Sequence, residues 1–395
     1  MTVALTNVTF RVELGLGSGP LVESPTWEDI TEYVVSFKSK RGRSTVLDRF
    51  DAGSGGILLN NHDGRFDPIN TSGPYTPDLK IRVPVRVQVD HSVTTYTLFR
   101  GMVEAWPITY SQAGLLSEVE LPIVDLTRVL AGASLEGFSY SEQSTGDRID
   151  EVLDDVGWPA GLRSIDTGVA YVSAGSPGGK ALDHIHEVVA VEAGHFFIAA
   201  DGTATFLDRV SATGLASGAV FGENAGDVRY EDLVRANDDD HLFNVVEATR
   251  PEGITQTASD ATSITDNGPS TLTIGAPFVD DAGALNVAEW QVLRLADTVD
   301  RVVGLVVNPD YDEANMWPTV AGTELRDGVT VEFQPPGGGT AVNQLSSVES
   351  VEHDWNARDG LWKATFGVWP LTASETAAYW ILGTSDDLGT DTILA

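Results

Sequence analysis

Short runs of alternating apolar and polar residues recur along this chain, and a period of two constrains a fold strongly. Between residues 82 and 89, Val83, Val85, Val87 and Val89 fall on one side, with Arg82, Arg86 and Gln88 on the other. Successive side chains of an extended strand point to opposite faces, so such a run buries one face and wets the other. Val8 to Leu14 and Leu116 to Val124 alternate in the same way. Tyr33 to Phe37 and Ile57 to Leu59 read as further strands. Residues 95–100 and 102–106 read as a hairpin turned near Gly101. The 40 glycines and 18 prolines supply many turns. Short strands separated by turn signals predict a barrel or a sandwich.

The period changes near residue 140. Ser144 can cap a helix that carries Ile149, Val152, Leu153 and Val156 at helical spacing and stops at Gly157-Trp158-Pro159. A second helix is predicted from Lys180 to Glu192, ended by Gly194. Residues 195–200 and 203–207 flank Asp201-Gly202, a tight-turn signal, and predict a hairpin. Beyond residue 220 the pattern returns to strands, at 243–249, 301–307, 330–333, 345–353 and 361–369, with a helix predicted over 287–299. One echo links the two β regions: Val103 to Pro107 and Phe366 to Pro370 both end in Trp-Pro. Trp-Pro also occurs at 158 and 317, so the echo does not by itself establish a repeat.

Composition removes whole classes of function. The chain has no cysteine, which excludes disulfides, thiolate nucleophiles and cysteine zinc sites. No apolar run is long enough to cross a bilayer, and the start lacks the basic and apolar segments of a secretory signal. A soluble protein made in the cytoplasm, without membrane insertion, is the expectation. The net charge of −34 is uneven: residues 1–135 carry −3 and residues 136–395 carry −31. Gripping DNA takes clustered positive charge, so the last two thirds is a poor DNA-binding surface. It reads as a solvated face, or as a lumen that DNA passes without sticking.

The sequence contains no nucleophile elbow, phosphate loop, His-Glu-x-x-His or calcium-loop spacing. Gly15-Leu16-Gly17-Ser18-Gly19 lacks the spacing of a dinucleotide site. His184 and His186 lie two apart on the second helix and face different ways. His241 follows three aspartates, 238–240, an acidic turn with the makings of a weak cation site. No enzyme activity, cofactor or metal is expected. Two features stand out. Lys38, Lys40, Arg41 and Arg43 form the densest basic cluster, with Lys38 and Lys40 on one face of a strand. They read either as a charged exposed edge or as a contact with a neighbouring subunit or ring. Asp63, Gly64, Arg65, Phe66, Asp67 and Pro68 read as a structural turn, with Phe66 tucked inward and Arg65 paired to a carboxylate.

Residues 27–89, with Asn244 to Gly253, Glu324 to Asp327 and Trp380 to Thr384, resemble the minor tail proteins of siphophages that infect actinobacteria. These are tail-tip hubs related in fold to the baseplate hubs of contractile tails. The resemblance implies a mainly β chain with a small α+β insertion and two tube-type β-barrel domains. Residues 1–135 would form the first barrel and 136–225 a small α+β domain of two helices and a hairpin. Residues 226–372 would form the second barrel with a helical insertion, and 373–395 a peripheral tail. It further implies a virion protein of the tail tip, a homotrimer continuing the tail tube. Its partners would be a distal tail protein ring, a tape-measure protein and other minor tail or receptor-binding proteins, with phage DNA passing unbound. A hexameric distal tail protein is the alternative, and a host-surface carbohydrate-binding module a more distant one.

Overall fold

The structure is a computed structural model that describes residues 8–111, 116–212, 215–298, 300–358 and 360–371. The first β region contains β1 (Val8–Leu14), β2 (Glu28–Asp29), β3 (Val34–Gly42), β4 (Asp51–Asn60), β5 (Pro84–His91), β6 (Thr94–Val103), β7 (Ile108–Ser111) and β8 (Leu116–Asp125). The helix α1 (Thr127–Gly132) leads out of it. Next come β9 (Gln143–Ser144), α2 (Thr145–Asp155), β10 (Arg163–Ile165), β11 (Tyr171–Val172), α3 (Ala181–Glu192), β12 (His195–Ile198) and β13 (Ala204–Leu207). The remainder holds β14 (Ala219–Phe221), β15 (Asp232–Ala236), β16 (Val245–Thr249), β17 (Gln256–Ser259), α4 (Ala261–Asn267), β18 (Thr271–Gly275) and α5 (Asp281–Leu295). It ends with β19 (Arg301–Val307), α6 (Glu313–Gly322), β20 (Gly328–Phe333), β21 (Val342–Asn356) and β22 (Leu361–Pro370).

The chain is mainly β, as its alternation predicts. Its strands do not form two separately closed sheets. One sheet of 14 described strands runs β15-β19-β22-β21-β3-β4-β8-β6-β5-β1-β2, with β7 beside β8, β20 beside β21 and β14 beside β20. The joint is the antiparallel pairing of β3 with β21, in which Lys38 faces Asp354 and Lys40 faces Glu352. By taking that edge, β21 leaves β1 to meet β3 through side chains alone. The sheet curls far enough for Phe10 and Phe37 to lie 6.0 Å apart. Inside the curl Val12, Phe37, Ile57, Val85, Val87 and Leu121 are fully buried. Gly42 is required at the crossing: its φ is +108°, and a Cβ there would stand 2.2 Å from the Glu349 carbonyl oxygen.

The second β region braces the first. Trp317 and Ala321 of α6 and Trp362 of β22 sit in the first region's core. The Trp317 and Trp362 rings meet edge to face at 5.0 Å. Trp317-Pro318 therefore lies within a helix, not at a strand end. Pro318, inside that helix, removes the local signal a helix would otherwise give.

The Ser144 cap forms as predicted, its hydroxyl accepting from the Asp147 amide at 3.2 Å. The second helix ends at Glu192 as predicted, but the left-handed residue that stops it is Ala193, at φ 55°, and not Gly194. Gly194 serves close approach to β13 instead. The core of the α+β unit, including Ile149, Val152, Ile185 and Val188, continues past residue 225 into Val246, Ala248, Phe278, Ala284 and Val287. The helical insertion, α5, thus packs on the α+β unit rather than inside the second β region. Its apolar face and that of β16 find their partners there. The small sheet β17-β16-β18 comes with it.

Candidate functional site

Lys38, Lys40 and Arg41 lie on β3 and Arg43 directly follows it; β3 is paired with β4 on one side and β21 on the other, so it is not an edge. Strand alternation divides the basic cluster. Lys38 and Lys40 point outward, while Phe37, Ser39, Arg41 and Arg43 point in and are buried. Lys38 reaches Asp354 at 2.8 Å and Lys40 reaches Glu352 at 2.7 Å. Both are directly opposed cross-strand pairs in solvent, where such a pair contributes under about 1 kcal/mol.

The two arginines hold a three-way junction. Arg43 Nε donates to Glu349 Oε2 at 2.7 Å, and Arg326 Nη1 donates to the other oxygen of the same carboxylate. Ser347 Oγ donates to Glu349 and accepts from Arg326. Arg326 Nη2 also donates to the Ala212 carbonyl at 2.9 Å, beyond the β12–β13 hairpin. Burial alone would raise the Glu349 carboxyl, but Arg326 and then Arg43 outweigh it and hold it at about 2. Nearby, Arg41 Nη1 donates to Glu324 Oε1 at 2.6 Å, while Glu324 Oε2 accepts from the Ala200 amide at 2.7 Å. The first β region, the second and the hairpin thus meet on two carboxylates. Arg41 and Arg43 are 4% and 5% exposed and are committed within the chain. Only Lys38 and Lys40 remain available to a neighbour.

Two buried histidines line this junction. Burial first, then Arg326, Arg43 and Arg294, drive His195 well below its usual range. Burial, then Arg41, brings His353 to about 3, and its Nδ1 lies 3.3 Å from Trp362 Nε1. Asp125 is buried and accepts from the Gly53 and Thr127 amides at 2.6 and 2.9 Å. Its burial, opposed by those bonds, raises it to about 6.

The 63–68 segment is a turn built on local bonds. Asp63 accepts from the Arg65 amide and pairs with its guanidinium, and Gly64 has φ +70°. Arg65 lies 3.8 Å over the Tyr33 ring, and the Phe66 amide donates to Asn61 Oδ1 at 2.8 Å. Phe66 is fully buried, Asp67 accepts from the Ile69 amide, and Pro68 follows in the turn.

Other candidates stay apart. His184 is buried, stacked on Tyr140, with Glu187 at 3.1 Å and Arg148 at 3.3 Å. His186 faces Arg49. Asp238 of the acidic turn pairs with Arg301 at 2.7 Å, and His241 packs on Trp369. Among the described residues, no three His, Asp or Glu side chains group as metal ligands would. No described helix is long and apolar enough to cross a membrane.

Spacing in the sequence gave no hint of Glu324, Arg326 and Glu349, although Glu324 to Asp327 is among the segments that carry the family resemblance. Asn244, in another such segment, is fully buried. It donates to Ser263 Oγ and the Gly268 carbonyl and accepts from the Ser270 amide. Trp380 to Thr384 lies outside the described residues.

No protein-family model and no curated protein matches the sequence. Solved structures do match in fold. A tail protein from Neisseria meningitidis MC58 is 13% identical, with a TM-score of 0.59 over 91% of this chain and 96% of that one. The 43 kDa tail protein of prophage MuSo2 from Shewanella oneidensis is 13% identical, with a TM-score of 0.57 over 92% of this chain and 97% of that one. Nearly end to end, this chain has a phage tail-protein fold.

Proposed function

We propose that this chain is a structural subunit of a phage tail tip: the trimeric hub that continues the tail tube and lines or gates the DNA channel. The observation that carries the reading is the end-to-end likeness to two tail proteins, in a chain whose buried charges brace β sheets. Three copies, each with two β regions, would offer six similar units to a sixfold ring above. Below, the trimer would hold receptor-binding or other minor tail proteins. A tape-measure protein would end at its lumen. The acidic surface of residues 136–395 suits a channel that repels DNA phosphates. Lys38 and Lys40 are the outward cations for a contact with an acidic neighbour, each switching from its cross-strand carboxylate. The role is mechanical, with no catalytic step.

The mass of the assembled ring tests the reading. Three copies per ring support the hub. Six copies assign the chain to a distal tail ring. A monomer that binds glycans and never assembles overturns the tail-tip role.

A further inference from the structure

A cavity of about 320 Å³ lies between the 43–50 loop, α3, β18 and α5. Arg43, Arg49 and Arg294 line it, against a single lining carboxylate, Asp48. In a chain of net charge −34 this is a local reversal of sign. Glu349 holds Arg43 but does not cancel its charge in full, because that carboxylate is shared with Arg326, and Arg43 Nη2 has no hydrogen-bond partner. Arg49 Nη1 lies 3.3 Å from His186 Nδ1 at the same cavity. The lining histidines His186 and His195 add donors and no charge at neutral pH. Burial and then Arg49 hold His186 at about 4, and His195 lies well below its usual range.

The end of β22 lies beside this cavity. Trp369 packs with Val46 and Leu295, and both of those residues line the cavity. The Leu371 amide is bonded to the Leu345 carbonyl at 2.9 Å, which fixes where the described chain ends. The sequence continues through residues 372–395, with Glu375, Asp386, Asp387 and Asp391 and no lysine or arginine. An extended chain advances about 3.3–3.6 Å per residue, so Glu375 reaches up to roughly 14 Å from Leu371.

We infer that this cavity is a carboxylate socket, and that its occupant is the acidic 372–395 segment of the same chain, with Glu375 as the first side chain in reach. A guanidinium matches a carboxylate in a two-bond planar fork, which a lysine does not. Partial enclosure lowers the screening that weakens such pairs on open surfaces. Occupation would tie the end of β22 to α5 and the 43–50 loop. The inference is independent of how many copies form a ring.

Because the chain has no cysteine, an engineered pair reports alone. In the full chain, Thr273→Cys on the exposed wall of the cavity is combined with Thr376→Cys, next to Glu375. Mild oxidation is followed by gel mobility and mass. The expected product is an intrachain disulfide. Its rate falls roughly tenfold when Arg49→Glu and Arg294→Glu are added, as loss of a charge-assisted pair demands. The milder Arg49→Gln, at an exposed side chain, keeps the test valid if the double reversal disturbs folding, and it also slows bridging. Absence of a bridge, or a rate unchanged by charge reversal in folded protein, overturns the inference. A bridge formed only between chains overturns the same-chain occupant and gives the socket to a second copy.

Discussion

The two faces of β3 carry the same charge to different ends. Outward, Lys38 and Lys40 meet Asp354 and Glu352 in water, where ions are already well solvated and pairing adds little. Inward, Arg41 and Arg43 are stripped of water, so each must be matched by a carboxylate held in place. The inward pairs connect residues 283 and 306 positions apart in sequence. The outward pairs cross the same β3–β21 joint, so burial is what separates the faces: the inward one must be matched within the fold, and the other is left to its surroundings.

The two faces differ most at Glu349, which matches two buried arginines. Glu349→Gln leaves Arg43 and Arg326 buried together without a counter-ion, and an unfolding titration should show a loss of about 3–5 kcal/mol. A loss under about 1 kcal/mol would mean the junction tolerates two unmatched guanidiniums. Trp317→Ala, which removes the α6 brace from the first core, should cost a similar amount, about 3–5 kcal/mol, and lower the cooperativity between the two β regions. Asn244→Ala leaves the Ser270 amide without its acceptor and should cost about 1–3 kcal/mol by the same titration.

Acid adds a dependence of known sign. His195 and His353 are lowered in the fold, so the unfolded chain takes up protons first. The His353 contribution is complete above about pH 6.5 and declines as pH falls toward 3, and the His195 contribution declines in the same direction. Asp125 is raised, so it opposes this trend between about pH 4 and 6. Glu349, lowered to about 2, adds a further loss below about pH 4.3. Melting temperature should fall from pH 7 to pH 5, and His353→Gln should flatten that slope. A slope unchanged by the substitution would mean that His353 does not contribute to the acid sensitivity.

The smallest effect belongs to the outer face. Lys38→Glu with Lys40→Glu should cost under about 1 kcal/mol per pair. The same variant should weaken ring formation in sedimentation. Rings that form normally with both lysines reversed would remove the outer face from assembly and leave the fold unaffected.

The alternation of Val83, Val85, Val87 and Val89, the Ser144 cap and the Asp201-Gly202 turn were legible because each depends on neighbours in sequence. The joining of β3 to β21 was not, since nothing local in either strand names its partner across some 300 residues. The helix α6 was not legible for a related reason: Pro318 is tolerated in it because packing of Trp317 into another region's core outweighs local propensity. Period two already placed Arg41 and Arg43 on the face of Phe37, opposite Lys38 and Lys40. That was the available signal that the cluster was really two.

Unfolding free energies of Glu349→Gln and of Lys38→Glu with Lys40→Glu, measured side by side at neutral pH, test this division most directly. The first should lose about 3–5 kcal/mol and the second under about 2 kcal/mol in all. Equal losses, or a larger loss from the lysines, would contradict it.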